Sequence, residues 1–230
     1  MDLSSVELIT FDCYGTLIDW ETGMLKALRS LFPNHAQAPD EQLLAMYGEI
    51  EVKLEAGPYL PYRTVLSRTA EEMGRRLGVE LSAEQCRQFA ESLKRWPPFP
   101  DSVGGLKTLA RHYRLGIISN TDDDLFAASQ ELLQAPFAMI VTAQQVQSYK
   151  PSLRNFEEAI KRAGVPKEKM LHVGQSIYHD IAPANTLGLK NIWVNRRFGK
   201  QGPGATVPGD ARPGLEVRSL AELAKTLVPA

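Results

Sequence analysis

The sequence predicts a parallel, doubly wound α/β sheet with an all-helical insertion after its first strand, on three observations. Short apolar runs rich in β-branched residues recur at Leu8–Phe11, Leu115–Ser119, Ala138–Val141, Met170–Gly174 and Asn191–Val194, each the length of a buried strand. Amphipathic helical stretches separate the later runs, and strands alternating with helices are the pattern of a parallel sheet. The long stretch from Trp20 to Trp96 carries helical patterns and no convincing strand.

The first run reads Val6-Glu7-Leu8-Ile9-Thr10-Phe11-Asp12-Cys13-Tyr14-Gly15-Thr16-Leu17. It puts Asp12 at the carboxyl edge of a buried strand, where open α/β sheets hold their ligands. The insertion has helical patterns over Thr22–Leu31, Asp40–Glu55, Tyr62–Leu77 and Ser82–Lys94. Ser82 with Gln85 forms a capping box at the start of the last of these. Pro97-Pro98-Phe99-Pro100 then breaks the helix and returns the chain to the core. Core helices are expected over Val103–His112, Asp122–Leu133, Ser152–Ala163 and Asp180–Leu187. A Gly/Pro-rich surface loop follows from Gly199 to Gly214, and a last helix opens at Ser219 with Glu222 as a second capping box. The expected division is a Rossmann-like core of residues 1–18 and 97–230, with residues 19–96 as the helical insertion.

At 230 residues with 43% hydrophobic content, the chain suits one α/β core with a modest insertion. A formal net charge of −1 gives no electrostatic footprint for nucleic acid or an acidic membrane. The Arg111 to Arg114 cluster is too short to bind a polyanion. A small-molecule substrate is expected, with no nucleic-acid or membrane partner. Two cysteines, Cys13 and Cys86, make no disulfide framework and no metal-ligand spacing. The first residues lack a signal-peptide pattern and no apolar run approaches the ~20 residues of a membrane span. The default is a cytoplasmic protein; the assembly state is open, a homodimer included.

Four segments carry chemistry, in order. After Asp12 comes Ser119-Asn120-Thr121 at a strand end, where a hydroxyl, an amide and backbone N–H groups suit a carboxylate or phosphate. Next is Lys150-Pro151 before a helix, Pro being suited to a helix start. Last is His172-Val173-Gly174-Gln175-Ser176-Ile177-Tyr178-His179-Asp180. Taken singly, Asp12 reads as a turn residue, Ser119-Asn120-Thr121 as a helix cap and Lys150 as a solvated charge. His172, inside an apolar strand, reads as a core histidine.

Together the four segments resemble the motifs of the haloacid dehalogenase superfamily, and the resemblance spans nearly the whole chain. It implies that Asp12 attacks substrate covalently, that Lys150 keeps it ionised, and that Asp180 orients Lys150, polarises a water or binds a residual metal. It makes the insertion a cap that closes over the site, with Trp20 packing at its hinge or lining the pocket in the closed state. Two departures bear on the chemistry. Phosphatases of the superfamily carry a general acid where this chain has Tyr14, and a Mg²⁺-binding Asp where it has Gln175. Phosphoryl transfer needs both devices, whereas halide departs from carbon unprotonated. The Asp-x-Tyr-Gly-Thr pattern also resembles type II 2-haloacid dehalogenases.

The expectation is therefore a hydrolase displacing a leaving group from C2 of a small 2-substituted carboxylic acid, without metal or cofactor. Asp12, Lys150 and Asp180 are the expected catalytic residues; Cys13, Tyr14, Thr16, Ser119, Asn120, Gln175, Ser176 and His179 are expected to bind substrate. Those dehalogenases receive the halide on an Arg early in the cap, and the corresponding helix here has none; Arg63 is a candidate substitute. A dehalogenase-like azetidine-2-carboxylate hydrolase, whose leaving group is a ring amine, suits a cap bearing Tyr47, Glu49 and Glu51. The alternatives are a Mg²⁺-dependent phosphatase and a non-catalytic binding module.

Overall fold

The computed structural model describes residues 1–35 and 38–228. The chain runs from β1 (Leu8–Phe11) into four helices, α1 (Trp20–Leu31), α2 (Asp40–Glu55), α3 (Tyr62–Leu77) and α4 (Ala83–Ser92). It then alternates α5 (Ser102–Leu109), β2 (Arg114–Ser119), α6 (Asp123–Leu133), β3 (Met139–Thr142), α7 (Ala143–Val146), α8 (Leu153–Arg162) and β4 (Met170–Gly174). It closes with α9 (Ala182–Thr186), β5 (Lys190–Val194), β6 (Glu216–Val217) and α10 (Leu220–Leu227). The six strands form one parallel sheet in the order β3-β2-β1-β4-β5-β6.

That order puts β1 at the switch point, where the chain departs to β2 on one side and β4 lies on the other. Phe11 is in register with Ile117 of β2 and Val173 of β4. The residues just past these three strands therefore share one crevice, the place where doubly wound sheets bind ligands. The strands read as continuous apolar runs because helices cover both faces: every residue of β1 and β4 is buried.

Local signals fix most boundaries. Helix α1 begins at Trp20, two residues before the predicted start, because Asp19 Oδ1 accepts the Thr22 N–H. The Ser82–Gln85 capping box forms in full. At the last helix Ser219 caps Glu222, but the Glu222 carboxylate takes the Arg218 N–H instead of that of Ser219. The helix expected over Asp180–Leu187 is a π-turn at Ile177–Ile181 running into α9. The Ser176 hydroxyl accepts the His179 N–H, and Pro183 has no N–H to extend a regular helix backwards.

Strand β6 went unpredicted; two residues are too short to show a period. The Gly199–Gly214 segment lacks regular structure, yet it is more than a surface excursion. Ala205 is buried against α2, where a Cβ on Gly48 would stand 2.2 Å from the Ala205 carbonyl oxygen. Arg197 ties its base to Glu21 and Glu41 of the first two helices. Among the described residues no helix is long and apolar enough to cross a membrane.

Candidate active site

Asp12 is the first residue past β1, anchored by its N–H to the Val173 carbonyl at 3.0 Å. The chain then turns through Gly15, whose φ of +91° disfavours a side chain. The turn brings Thr16 back so that its hydroxyl donates to Asp12 Oδ2 at 2.8 Å. The same hydroxyl accepts the Gln175 N–H at 2.9 Å, so its proton is committed to the carboxylate. Asp12 Oδ1 accepts from Lys150 Nζ at 2.8 Å.

Lys150 spends all three ammonium hydrogens. Besides Asp12 it donates to Asp180 Oδ1 at 2.7 Å and to the Ile118 carbonyl at 2.9 Å. Its side chain is 1% exposed. Asp180 Oδ1 also meets His172 Nε2 at 3.2 Å, and Asp180 Oδ2 accepts the Ser176 N–H. His172 is a buried strand residue with both ring nitrogens partnered.

One ammonium between two carboxylates sets the electrostatics. Burial alone would raise Asp180, but the Lys150 ammonium and the His172 contact hold it well below the ordinary carboxylate range. Burial, with the Asp180 charge adding to it and Lys150 and Thr16 opposing, pushes Asp12 up. Burial would lower Lys150, yet the two carboxylates keep it firmly protonated. Asp180 is thus the fixed anion and Asp12 the one held ready.

A cavity opens beside this triad. The core side supplies Asp12, Tyr14, Ser119, Asn120, Gln175, Ser176 and His179 with Lys150 and Asp180. Ser119 Oγ is buried without a partner, and the backbone N–H groups of Cys13 and Tyr14 donate to none of the described residues. Those are free donors for an anion. The helical insertion supplies Trp20, Glu51, Glu55 and Tyr62, and the Gly/Pro loop supplies Thr206. The centres of water-sized groups can occupy about 50 Å³, against about 10–15 Å³ for one water. A handful of heavy atoms fits; a nucleotide does not.

The expected residues distribute unevenly. Thr16 does not line the cavity; it acts on Asp12 from behind. The Cys13 side chain is buried away from it, and burial pushes its thiol up. Asn120 lines the cavity but spends its side chain on the Lys150 backbone and on Glu55. Tyr14 gives its hydroxyl to a contact with Ser129 at 3.0 Å. Arg63 is elsewhere, paired with Glu91 and Asp124, and Glu49 is on the surface with Lys53 and Arg76. Glu51 does face the cavity, its Oε1 accepting from Tyr47 at 2.7 Å and Tyr62 at 2.6 Å. Glu55, Tyr62 and Thr206 were missed. The signal for Glu55 was its place four residues after Glu51 and eight after Tyr47, one stripe of α2.

A family model described as a haloacid dehalogenase-like hydrolase matches residues 6–188. The chain belongs to that family. It is 28% identical to an (S)-2-haloacid dehalogenase of Pseudomonas putida over 98% of both chains. A glyceraldehyde 3-phosphate phosphatase of Methanothermobacter thermautotrophicus is 35% identical, over 43% of this chain and 45% of that protein. The L-2-haloacid dehalogenase of Xanthobacter autotrophicus, with chloropropionic acid covalently bound, superposes with a TM-score of 0.81 at 18% identity, covering 96% of this chain and 98% of that one.

Phosphoryl transfer would call for Mg²⁺ at this site, and the donor set here does not fit that ion. Gln175 offers a neutral amide whose Oε1 already accepts from Thr206 at 3.0 Å. Both Asp180 oxygens and both Asp12 oxygens are engaged by protein donors. A hard dication needs anionic oxygens aimed at it, and among the described residues no cluster of three acidic, His or Cys side chains could hold a metal.

Proposed function

We propose that the chain hydrolyses a small 2-substituted carboxylic acid by displacement at C2, and that its leaving group is the amine of a strained ring, as in azetidine-2-carboxylate, in preference to a halide. Residues 19–96 act as the cap that closes the site. Ser119 and the free N–H groups of Cys13 and Tyr14 hold the substrate carboxylate. Asp12 Oδ attacks C2 as the bond to the leaving group breaks, forming an ester. Fixing C2 in line with the carboxylate accounts for a large part of the rate. Water then attacks the Asp12 carbonyl carbon, with Lys150, held in place by the permanently ionised Asp180, steadying the charge that develops.

The observation that carries the choice of leaving group is the cap-side wall of the cavity, which has two carboxyls, Glu51 and Glu55, and neither Arg nor Lys. A halide ion departing about 4 Å from one ionised carboxylate meets about 4 kcal/mol of repulsion at an effective dielectric near 20, and an ammonium gains as much. The aromatic faces of Trp20 and Tyr62 beside them suit a cation too. The full-length relative and the covalent chloropropionate complex of the Xanthobacter enzyme support displacement at C2. The deciding experiment compares turnover of azetidine-2-carboxylate, S-2-chloropropionate and a panel of phosphate monoesters. Turnover of the cyclic amine above the chloro acid is expected; turnover of phosphate esters alone would refute the reading.

A further inference from the structure

Resting on that substrate reading, we propose that Glu55 is the acid that protonates the departing nitrogen, while Glu51 is the carboxylate that binds it. The two carboxyls sit one helical turn apart on α2 and face the same cavity, but their hydrogen bonds are unequal. Glu51 receives two phenolic hydroxyls, from Tyr47 and Tyr62, at 2.7 and 2.6 Å. Donors of this kind stabilise the ionised form. Glu55 receives one amide hydrogen, from Asn120, at 3.3 Å, and is 7% exposed. Two neighbouring carboxyls in different surroundings cannot both ionise, and the better-solvated one ionises first.

The charges around the pair agree. Burial raises Glu51 to about 7, with the two tyrosines opposing. Burial and then the Glu51 charge push Glu55 well above the carboxylate range, with Lys150 and Asn120 opposing. Glu51 is therefore the member of the pair that ionises first as pH rises, while Glu55 stays protonated. From the core, Lys150, Asn120, Tyr149 and His179 are the polar groups about Glu55.

His179 is oriented for the product of that proton transfer. The Ser176 hydroxyl accepts the His179 backbone N–H and also meets ring Nδ1 at 3.1 Å. Nε2 is buried without a partner 4.0 Å from Glu55 Oε2, and it carries the ring hydrogen in the tautomer where the Ser176 hydroxyl donates to Nδ1. Burial holds the ring down to about 4, so it is neutral. In that tautomer it is an N–H donor available to the ionised Glu55. Glu55 and His179 also line a second cleft, between the end of α2 and the start of α8.

The protons balance. The substrate enters as a ring ammonium, and Asp12 Oδ forms the bond to C2 while the C2–N pair returns to nitrogen. The nitrogen leaves as a neutral primary amine and takes the Glu55 proton, becoming an ammonium beside Glu51 that cannot attack the ester. Hydrolysis of the Asp12 ester releases one proton net, and that proton restores Glu55. The product is an open-chain 2-hydroxy acid bearing an ammonium.

The test uses the full chain, azetidine-2-carboxylate as substrate, and pH profiles of kcat. Wild-type kcat should fall as pH rises through the Glu55 pKa. Glu55→Gln should lower kcat severalfold, because the neutral amine is no longer trapped as an ammonium and can close back on the Asp12 ester, with KM little changed and the high-pH limb gone. Glu51→Gln should instead raise KM by about 10-fold or more. If Glu55→Gln melts well below wild type, Glu55→Asp decides: a displaced high-pH limb supports the assignment and an unmoved one overturns it. Full kcat and an intact limb in a folded Glu55→Gln protein would overturn the acid while leaving the substrate reading intact. Turnover of S-2-chloropropionate with none of the cyclic amine would overturn both.

Discussion

Replacing Lys150 by Met removes the cation from a buried triad and leaves two carboxylates facing each other. Asp12 and Asp180 are 11% and 1% exposed, and each has an oxygen within 2.8 Å of the ammonium that would vanish. Breaking a buried pair in this way costs about 3–5 kcal/mol, because the orphaned charge stays buried. With a urea m-value of about 2–3 kcal/mol/M, that moves the unfolding midpoint down by about 1–2.5 M. The loss should depend on pH with a definite sign. In the wild type Asp180 is held below its ordinary value, so its contribution is present above about pH 4 and vanishes only as pH falls through the depressed value. In the variant both carboxyls stand above their unfolded values. Their folded forms are then tolerated best when protonated, and stability declines as pH rises through the raised values. Urea melts of both proteins at pH 5 and pH 8 should show a difference that grows with pH. A difference under about 1 kcal/mol at pH 8, or one equal at both values, would refute the triad as described.

Other consequences are as direct. Ser119→Ala should lower kcat/KM by about 10-fold or more through KM, since a hydrogen bond to a charged group is worth about 1.5–3 kcal/mol; an unchanged KM would remove Ser119 from carboxylate binding. Tyr14→Phe should keep most of its activity, because the hydroxyl is turned to Ser129 and is no acid; a loss beyond about 100-fold in kcat would contradict that. Activity should survive exhaustive chelation by EDTA, and loss restored by Mg²⁺ would favour phosphoryl chemistry. Gly48→Ala should destabilise by about 1–3 kcal/mol in thermal melts, since its Cβ would meet the Ala205 carbonyl at 2.2 Å.

The core was legible because its signals are local. An apolar run ending in Asp12, another ending in Ser119 and Lys150 beside a proline each mark a strand or helix end, and the parallel topology carries such ends to one crevice. The cap was legible as helices and nothing more. Charged residues recur all along α2, and only the packing of α3 against it separates the buried Glu51 from the solvated Glu49. Arg63 was a reasonable halide partner by composition, but helix phase turns it toward Glu91 and Asp124. Thr206 lay in a segment whose Gly and Pro content signals a loop and says nothing of where the loop goes. Its route is set by Arg197 and by the space over Gly48, both tertiary facts.

The central claim is that Asp12 becomes an ester during turnover. A single turnover of azetidine-2-carboxylate in heavy-oxygen water, followed by digestion and mass spectrometry, reads this directly. Water attacking the Asp12 carbonyl leaves its heavy oxygen on the Asp12 carboxylate, and the product hydroxyl then carries ordinary oxygen from the enzyme. Label in the product after that first turnover, with none on Asp12, would mean that water attacks the substrate itself and that Asp12 is no nucleophile.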